Sequence, residues 1–494
     1  MRSHSTVVLL LVACTGSEPT LDPVTSSETS PLVTPASCNV ATYGAIPNDA
    51  LDDREWIQAA IDDCATTGGR DVYVGPGLYL IGKSPAGFFG LDLKPGTRLR
   101  GAGRSASILR QTAGIGPSVN LARALGDDIT VESLTLDGDK TNQTVNEHRH
   151  GILIQNGRRF TAHDVASQNF TGDGFYLYID SADVTLEHVY ATDNDRNGVT
   201  LGGTSTNVSI LGSYFLANAA QQVDSEPGAP HVVSHIKIAG STLDARGRNN
   251  GYVLTISGTG RDTPPGHDWT VVGNTINGPI LTVWVEGVTV TGNSGVNPTT
   301  KPCFTAARRS RNVVYSSNRC TMTQTTQSNV AAIYVYGTSV NDTPARVSIV
   351  GNTVDLSGAH ADSHGVSATG VSSIQVVNNT LRGPGQPSAI SASGVYLRAA
   401  LVDEDYRSAK VAGNYIANFG KYGVFVMGNG AARMLALDVS GNTFDDDSAV
   451  PTMTVGASLT AGGLPVIAHW RAGGNLAVGG VAVTVTNQPP TPEG

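Results

Sequence analysis

The segment Gln222-Val-Asp-Ser-Glu-Pro227 holds the most reactive spacing in the chain. Read as a β-strand with Val223 and Ser225 facing inward, it leaves Asp224 and Glu226 outward on one face, their Cα atoms about 7 Å apart. Two carboxyls at that span can serve as acid and base around a water, as in inverting glycoside hydrolysis. The same packed carboxylates followed by a proline also suit a Ca²⁺ ion, or simply a solvated strand edge, and Ser225 is an awkward core residue. Nearby, Tyr176 and Tyr178 offer flat apolar faces with a hydroxyl, the kind of surface on which a pyranose ring stacks. Arg196 lies in the turn entering the intervening coil, and Arg246 and Arg248 lie in the loop before Asn250. A guanidinium there can grip a substrate carboxylate bidentately, or merely neutralise Asp224 and Glu226. His148, Arg149 and His150 form a second group, with Asp173 near the same turn one coil on. His150 beside a carboxylate can act as a general base, or cap a backbone turn. His163 and His188 fall on a different strand and are set aside.

These placements rest on a repeat. Ile129-Thr-Val-Glu-Ser-Leu, Val184-Thr-Leu-Glu-His-Val, Val347-Ser-Ile-Val-Gly-Asn and Leu437-Asp-Val-Ser-Gly-Asn are copies of one phrase, an alternating apolar strand closed by a small residue. It recurs between Ile129 and Asn442 about every 28 residues, roughly twelve times, within the range of stacked repeat architectures. A second strand in each repeat opens with a polar residue and Gly, as at His150-Gly, Asp173-Gly, Asn197-Gly, Asn250-Gly, His364-Gly, Ser393-Gly and Tyr422-Gly. Period two puts Ile152/Ile154, Phe175/Leu177, Val199/Leu201 and Tyr252/Leu254 inside. It leaves Leu153/Gln155, Tyr176/Tyr178, Thr200/Gly202 and Val253/Thr255 outside, stacked about 4.8 Å per coil. The closing residues Asn274, Asn293, Asn318, Asn352, Asn379, Asn414 and Asn442 read as structural, since Asn tolerates left-handed turns and its amide can bond along a stack.

A repeat protein grows along one axis, so a single domain can absorb all 494 residues. Its 58 glycines and 15% charged residues suit short strands and tight turns. A formal charge of −9 argues against nucleic acid or an anionic membrane as the main partner, while an acidic polysaccharide stays open because a local basic patch can outvote the total. At the N-terminus, Arg2 and the apolar run Val7 to Val12 read as a secretory signal over residues 1–13. Leu11-Val-Ala-Cys14 resembles a bacterial lipobox, which implies cleavage before Cys14 and lipidation of its thiol, the expected membrane link. Residues 14–37, rich in Ser, Thr and Pro, read as a tether. In an exported chain the remaining cysteines suggest two disulfides, with Cys38–Cys64 and Cys303–Cys320 the pairings that close short loops. The domain is expected over 38–486, with a flexible tail at 487–494.

Residues 40–81 follow a different grammar. Asp52-x-x-Glu55 is a capping-box pattern ahead of Trp56, Ile57, Ala60, Ile61 and Cys64 on one helical face, Gly68-Gly69 ends the helix, and Asp71-Val-Tyr-Val and Pro76-Gly-Leu-Tyr-Leu-Ile81 read as strands. The helix is expected to cover the open end of the stack. Tyr43-Gly-Ala45, the acidic run Asp49 to Asp53, the helix, Pro76-Gly-x-Tyr-x-Ile81 and Thr97-Arg-Leu-Arg-Gly-Ala-Gly103 together resemble the opening of the pectate-lyase-like superfamily. With the repeats, the resemblance covers roughly residues 38–460. It implies an all-β, right-handed parallel β-helix of about twelve coils with an N-terminal capping helix, usually carbohydrate-active, in which the outer face of one sheet is the substrate groove. Asp224-Ser-Glu226-Pro resembles an acidic strand of some such proteins. Arg196-Asn-Gly-Val resembles the coil that follows the active strand of mannuronan C5-epimerases. Their Tyr-Gly-Phe-Asp-Pro-His would then fall on His150 to Gln155, where Leu153 and Gln155 replace the Asp and the last His, which argues against epimerisation. The ordered motifs of polygalacturonase-type hydrolases are also unmatched: Asp445-Asp-Asp447 comes after almost the entire stack, and Gly266-His267 lacks the following Gly.

The resulting expectation is an exported enzyme that degrades a polysaccharide bound along the outer face, with Asp224 and Glu226 catalytic and Tyr176, Tyr178, Arg196, Arg248 and His150 contacting substrate. No cofactor is required, with Ca²⁺ as the open alternative. Hydrolysis is favoured over uronate elimination because the conspicuous pair is acidic, although Arg196 or Arg248 would be available to neutralise a uronate. The alternative is a non-catalytic glycan-binding surface protein or adhesin. Oligomeric state is not addressed by these residues.

Overall fold

The computed structural model describes residues 38–478 and residue 481, apart from breaks at 67–70, 249–250, 261–265, 391, 400–406, 429–433, 449–451, 454 and 461–466. The signal segment 1–13, Cys14, the tether 14–37, Gly68-Gly69 and the tail 487–494 lie outside the described residues. Each repeat forms one coil of a right-handed parallel β-helix, and every strand pairing among the described residues that joins successive coils is parallel, as where Phe175–Tyr178 lies between Ile152–Gln155 and Val199–Gly202. Among the described residues one sheet has fourteen strands, one per coil. The other, of 29 described strands, takes two in most coils, as with Ser205–Leu211 and Tyr214–Leu216, and one long strand in others, as with Thr161–Gln168. Counting copies from Ile129 to Asn442 reached only about twelve because Phe89–Leu93 and Asn120–Leu125 precede the repeat in recognisable form, and Val455–Thr460 follows it.

Alternation decides the core. Ile152, Ile154, Phe175, Leu177, Val199, Leu201, Val223 and Leu254 are all fully or almost fully buried, one above another in adjacent coils. The exception is Tyr252 with Val253, which exchange the expected places: Val253 is buried and Tyr252 only partly so. The N–H groups of Val253 and Leu254 both converge on the Pro279 carbonyl, and those of Gln222 and Val223 both converge on the Val253 carbonyl. Two donors sharing one acceptor mark an extra residue in the ladder, and such a bulge turns the next side chain to the opposite face.

The Asn column is a hydrogen-bonded ladder. From Asn293 through Asn318, Asn352, Asn379, Asn414 and Asn442 to Asn475, each side-chain Oδ1 accepts from both the backbone N–H and the Nδ2 of the Asn one coil earlier, the series starting from Asn274. The buried amides are thereby paired, which offsets the cost of their burial.

The helix Arg54–Thr66 buries Ile57, Ala60, Ile61 and Cys64. Trp56, expected on that face, is 42% exposed and lies against Gly44, where a Cβ would come within 3.0 Å of its ring. The expected capping box is replaced by other contacts. The Asp52 carboxylate accepts from the Arg54 and Gly82 N–H groups, and the Asp53 carboxylate accepts from Ile46 N–H. Cys38 is bonded to Cys64 and Cys303 to Cys320, with Cα separations of 6.0 and 6.5 Å. Among the described residues, no helix is long and apolar enough to cross a membrane.

Candidate functional site

On the outer face of the fourteen-stranded sheet, the strand Val223–Glu226 lies directly between Val199–Gly202 and Leu254–Ser257. Val223 and Ser225 face in as expected. Ser225 fits the core because its hydroxyl donates to the Ser257 carbonyl at 2.8 Å while the Ser257 hydroxyl donates back to the Ser225 carbonyl, so the buried donor is satisfied. Outward, Asp224 takes its place in a continuous column running Asp92, Arg123, Leu153, Tyr176, Thr200, Asp224, Thr255, Leu281, one residue per coil. Outward does not mean exposed here. Asp224 is only 3% accessible, whereas the Glu226 side chain is 40% accessible.

Burial pushes the Asp224 carboxyl up to about 8, reinforced by a hydrogen bond to the Glu226 carboxylate and by its charge. The raised value favours the protonated form of Asp224 at neutral pH, a carboxyl set apart from its neighbour by its environment. Their contact is much closer than the open span expected from the strand spacing. Glu226 is in turn ion-paired with Arg196, which also holds Asp173 at 2.7 Å.

Asp173 is fully buried. Desolvation raises its pKa, but His150, Arg196 and the Asn197 N–H, which donates at 2.9 Å, more than offset this and leave it below the usual carboxylate range. Arg196 stays charged despite burial because both carboxylates favour the cation. The ring of His150 approaches Asp173 twice, with Nδ1 3.0 Å from its backbone nitrogen and 3.2 Å from its Oδ2. A neutral imidazole accepts the N–H and carries its proton on Nε2, whereas a protonated one donates to the carboxylate. The first arrangement recurs at His364, whose Nδ1 accepts from the Ser393 N–H at 3.1 Å, so the turn-capping role expected as the alternative for His150 is built into the coil. Burial lowers the His364 pKa to about 4, against the opposing pull of Asp362.

Tyr176 covers this cluster. Its ring lies 4.6 Å from His150 and 5.5 Å from Tyr178. Desolvation, with Asp173 and Glu226 adding to it, pushes its hydroxyl up to about 12, which makes it a donor at neutral pH. The ring fits because position 202 is Gly: a Cβ there would come within 2.7 Å of Tyr176 Cε2. Tyr178 is 38% exposed and open to a ligand.

The structure therefore brings together Asp224, Glu226, Arg196, Asp173, His150, Tyr176 and Tyr178. It does not bring Arg248. That guanidinium donates to Asp193 at 2.9 Å, to Asp195 at 3.1 Å and to the Ala217 carbonyl at 2.8 Å, because Thr192-Asp-Asn-Asp195 offers two nearer carboxylates than the acidic strand does. A cleft of about 430 Å³ lies close by, lined by Asp244 to Gly247, Val253, Asn277 and Val296, but it contains none of the proton-sharing groups.

A second aromatic patch went unread as such in the sequence. Continuing the outward column past Leu281 come Thr305, Tyr334, Ser367, Tyr396 and Phe425. Tyr334 stacks on Tyr336 at 4.8 Å, and Phe425 stacks on Tyr396 at 5.5 Å and on Tyr422 at 4.6 Å. It begins six coils beyond Tyr178, about 29 Å at 4.8 Å per coil. Its signal was present in the same period-two reading of His364-Gly, Ser393-Gly and Tyr422-Gly.

Residues 37–279 match the family model for rhamnogalacturonase A/epimerase, pectate lyase-like proteins. The mannuronan C5-epimerase AlgE1 of Azotobacter vinelandii is 32% identical over 177 residues, which is 33% of this chain and 12% of that protein. The chain thus spans only a small part of that relative's length. Among solved structures, the Agl-KA catalytic domain aligns with a TM-score of 0.51 at 14% identity, over 91% of this chain and 68% of that one. The Streptococcus pneumoniae surface protein and adhesin PfbA aligns with a TM-score of 0.50 at 14% identity, over 90% of this chain and 100% of that one. These structural likenesses concern the fold.

Proposed function

We propose that this chain, a right-handed parallel β-helix of the pectate-lyase-like kind, is an exported enzyme that cleaves a polysaccharide laid along the outer face of its fourteen-stranded sheet. The observation that carries this reading is the buried Asp224 carboxyl, its pKa raised by burial, against the half-exposed Glu226 carboxyl and flanked by Tyr176 and Tyr178. A carboxylic acid with a pKa near 8 can protonate a departing glycosidic oxygen at neutral pH, and an ionised partner can stabilise or attack the sugar carbon. In the free protein the two carboxyls touch, closer than either glycosidase spacing of about 5.5 Å or more. Their Cα atoms are about 7 Å apart by strand geometry, so swinging the half-exposed Glu226 side chain outward over a bound sugar restores the separation.

Charge supports hydrolysis over elimination. Asp173 and Glu226 set two carboxylates around the single guanidinium of Arg196, an arrangement that suits a cationic oxocarbenium-like transition state. Elimination needs a cation to neutralise a uronate carboxylate, and both arginines available for that role are already paired. A protonated Asp224 and an arginine-bound Glu226 are likewise poor ligands for Ca²⁺, which prefers free carboxylates.

The second reading is removal of the C5 proton from a uronate, favoured by the likeness to mannuronan C5-epimerases. A panel of neutral and uronate polysaccharides separates the two. Hydrolysis gives new reducing ends without the ultraviolet absorbance of an unsaturated product, and its rate falls as pH rises through about 8, where Asp224 loses its proton. An absorbing product or a changed uronate epimer ratio, with rates rising into alkaline pH, overturns it. Binding without turnover, unchanged in an Asp224→Ala/Glu226→Ala double variant, would make the chain a glycan-binding surface protein instead.

The aromatic cover gives a more specific expectation. Gly202→Ala should displace the Tyr176 ring and lower kcat/KM by about 10- to 100-fold, the scale of an ångström-sized misplacement in an active site. Full activity in that variant would remove Tyr176 from substrate contact.

A further inference from the structure

Away from the groove, on the outer face of the 29-stranded sheet, two imidazoles and a carboxylate converge. His235 lies on the strand Val233–Ala239, and His267 and Asp268 lie on the neighbouring Gly266–Val272. Asp268 Oδ2 sits 2.8 Å from His267 Nδ1 and 3.4 Å from His235 Nε2, and the rings meet edge to face with centroids 5.0 Å apart. One donor atom from each of the three lies within 4.8 Å of the others.

The backbone creates this convergence. His267 and Asp268 are consecutive, so regular pleating would put them on opposite faces. Instead Asp268 has φ 59° and His235 has φ 56°, left-handed positions that break the pleat between the register pairs Ser234↔His267 and Ile236↔Trp269 and leave His235 and Asp268 on the same exposed side as the partly exposed His267. On the next coil the corresponding position is Gly287, where a Cβ would approach Asp268 Oδ1 to 3.0 Å. Glu286, the register partner of His267 on that coil, accepts from Asn312 at 2.8 Å and pairs with Arg346 at 3.5 Å.

We propose that His235, His267 and Asp268 form a surface site for a divalent transition metal, of the zinc class. Two imidazole nitrogens and one carboxylate oxygen are borderline ligands that select Zn²⁺, Ni²⁺ or Cu²⁺ over Ca²⁺ or Mg²⁺. Ligand distances near 2.0–2.2 Å place tetrahedral donors roughly 3.4 Å from one another, close to the spacing already present, and the solvent-open side leaves room for water. A metal here ties together two strands separated by about 30 residues of chain, a loop whose closure stabilises the fold through chain entropy. That loop carries Leu254–Ser257, the strand beside Asp224. The site is separate from the groove and does not depend on the proposed reaction.

The test is titration of the tag-free chain with Zn²⁺, and separately with Ca²⁺, followed by calorimetry and thermal melting. The expected result is one equivalent of Zn²⁺ bound, a higher Tm, and no comparable effect of Ca²⁺. His267→Ala and Asp268→Asn should each weaken binding by more than the roughly tenfold that loss of an outer-sphere partner costs, while their metal-free melts confirm folding. Zn²⁺ binding of undiminished affinity in His235→Ala/His267→Ala, or no binding by the parent chain, overturns the proposal.

Discussion

Asp224→Asn is expected to silence hydrolysis and stabilise the fold at the same time. A general acid contributes on the order of 10²–10⁴ in rate, and asparagine cannot give up a proton, so kcat should fall by that range while glycan binding persists. The stability change follows from the raised carboxyl. Its pKa is about 8 in the folded chain and about 3.9 when unfolded. The folded state therefore keeps a proton that the unfolded state releases. The contribution is fully present below about pH 4 and is lost as pH rises toward 8. Each pKa unit is worth about 1.4 kcal/mol, so at pH 7 the wild-type chain carries a penalty that asparagine, still able to donate to Glu226, does not. A gain of about 1–3 kcal/mol at pH 7, vanishing near pH 4, is the expected outcome of melts across that range. A variant that melts lower than wild type at pH 7 would mean that Asp224 is ionised in the folded chain, and the acid role would go with it.

Arg196→Ala should be the most damaging single change at this site. Asp173 is fully buried and Arg196 is its only guanidinium partner among the described residues. Removing one member of a buried pair leaves an uncompensated charge, typically a loss of 3–5 kcal/mol. Because the folded pKa of Asp173 is depressed, its contribution is present above the unfolded value and disappears as pH falls. The gap between variant and wild type should therefore be widest near neutrality and narrow below about pH 4. Asp173→Asn in the same chain should recover most of the loss, since a neutral amide no longer needs the cation. Equal losses in the single and double variants, measured by denaturant unfolding, would show that Arg196 acts through packing alone.

Much of this molecule was legible because its grammar is local. Alternation placed Ile152, Phe175, Val199 and Val223 inside, and the repeated Asn set the ladder, because each follows from neighbours in the chain and from stacking like on like. The same alternation put Asp224, Glu226, Tyr176 and Tyr178 on one outward face. It failed at Tyr252 and Val253, where a bulge shifts the pleat, and at Trp56, whose ring found Gly44 instead of the helix face. It treated outward as exposed, whereas a side chain can point away from the core and still be covered.

Sequence alone thus determined the coil and, outside the bulge at Tyr252 and Val253, which column most strand side chains join, because those depend on periods of two and about 28 residues. Only the tertiary structure decided which charges meet. Arg196 chose Asp173 and Glu226, Arg248 chose Asp193 and Asp195, and Gly202 made room for Tyr176. Those outcomes depend on rotamers and on competition among carboxylates several coils apart, and no spacing in the chain encodes which of two nearby acids a long side chain will reach first.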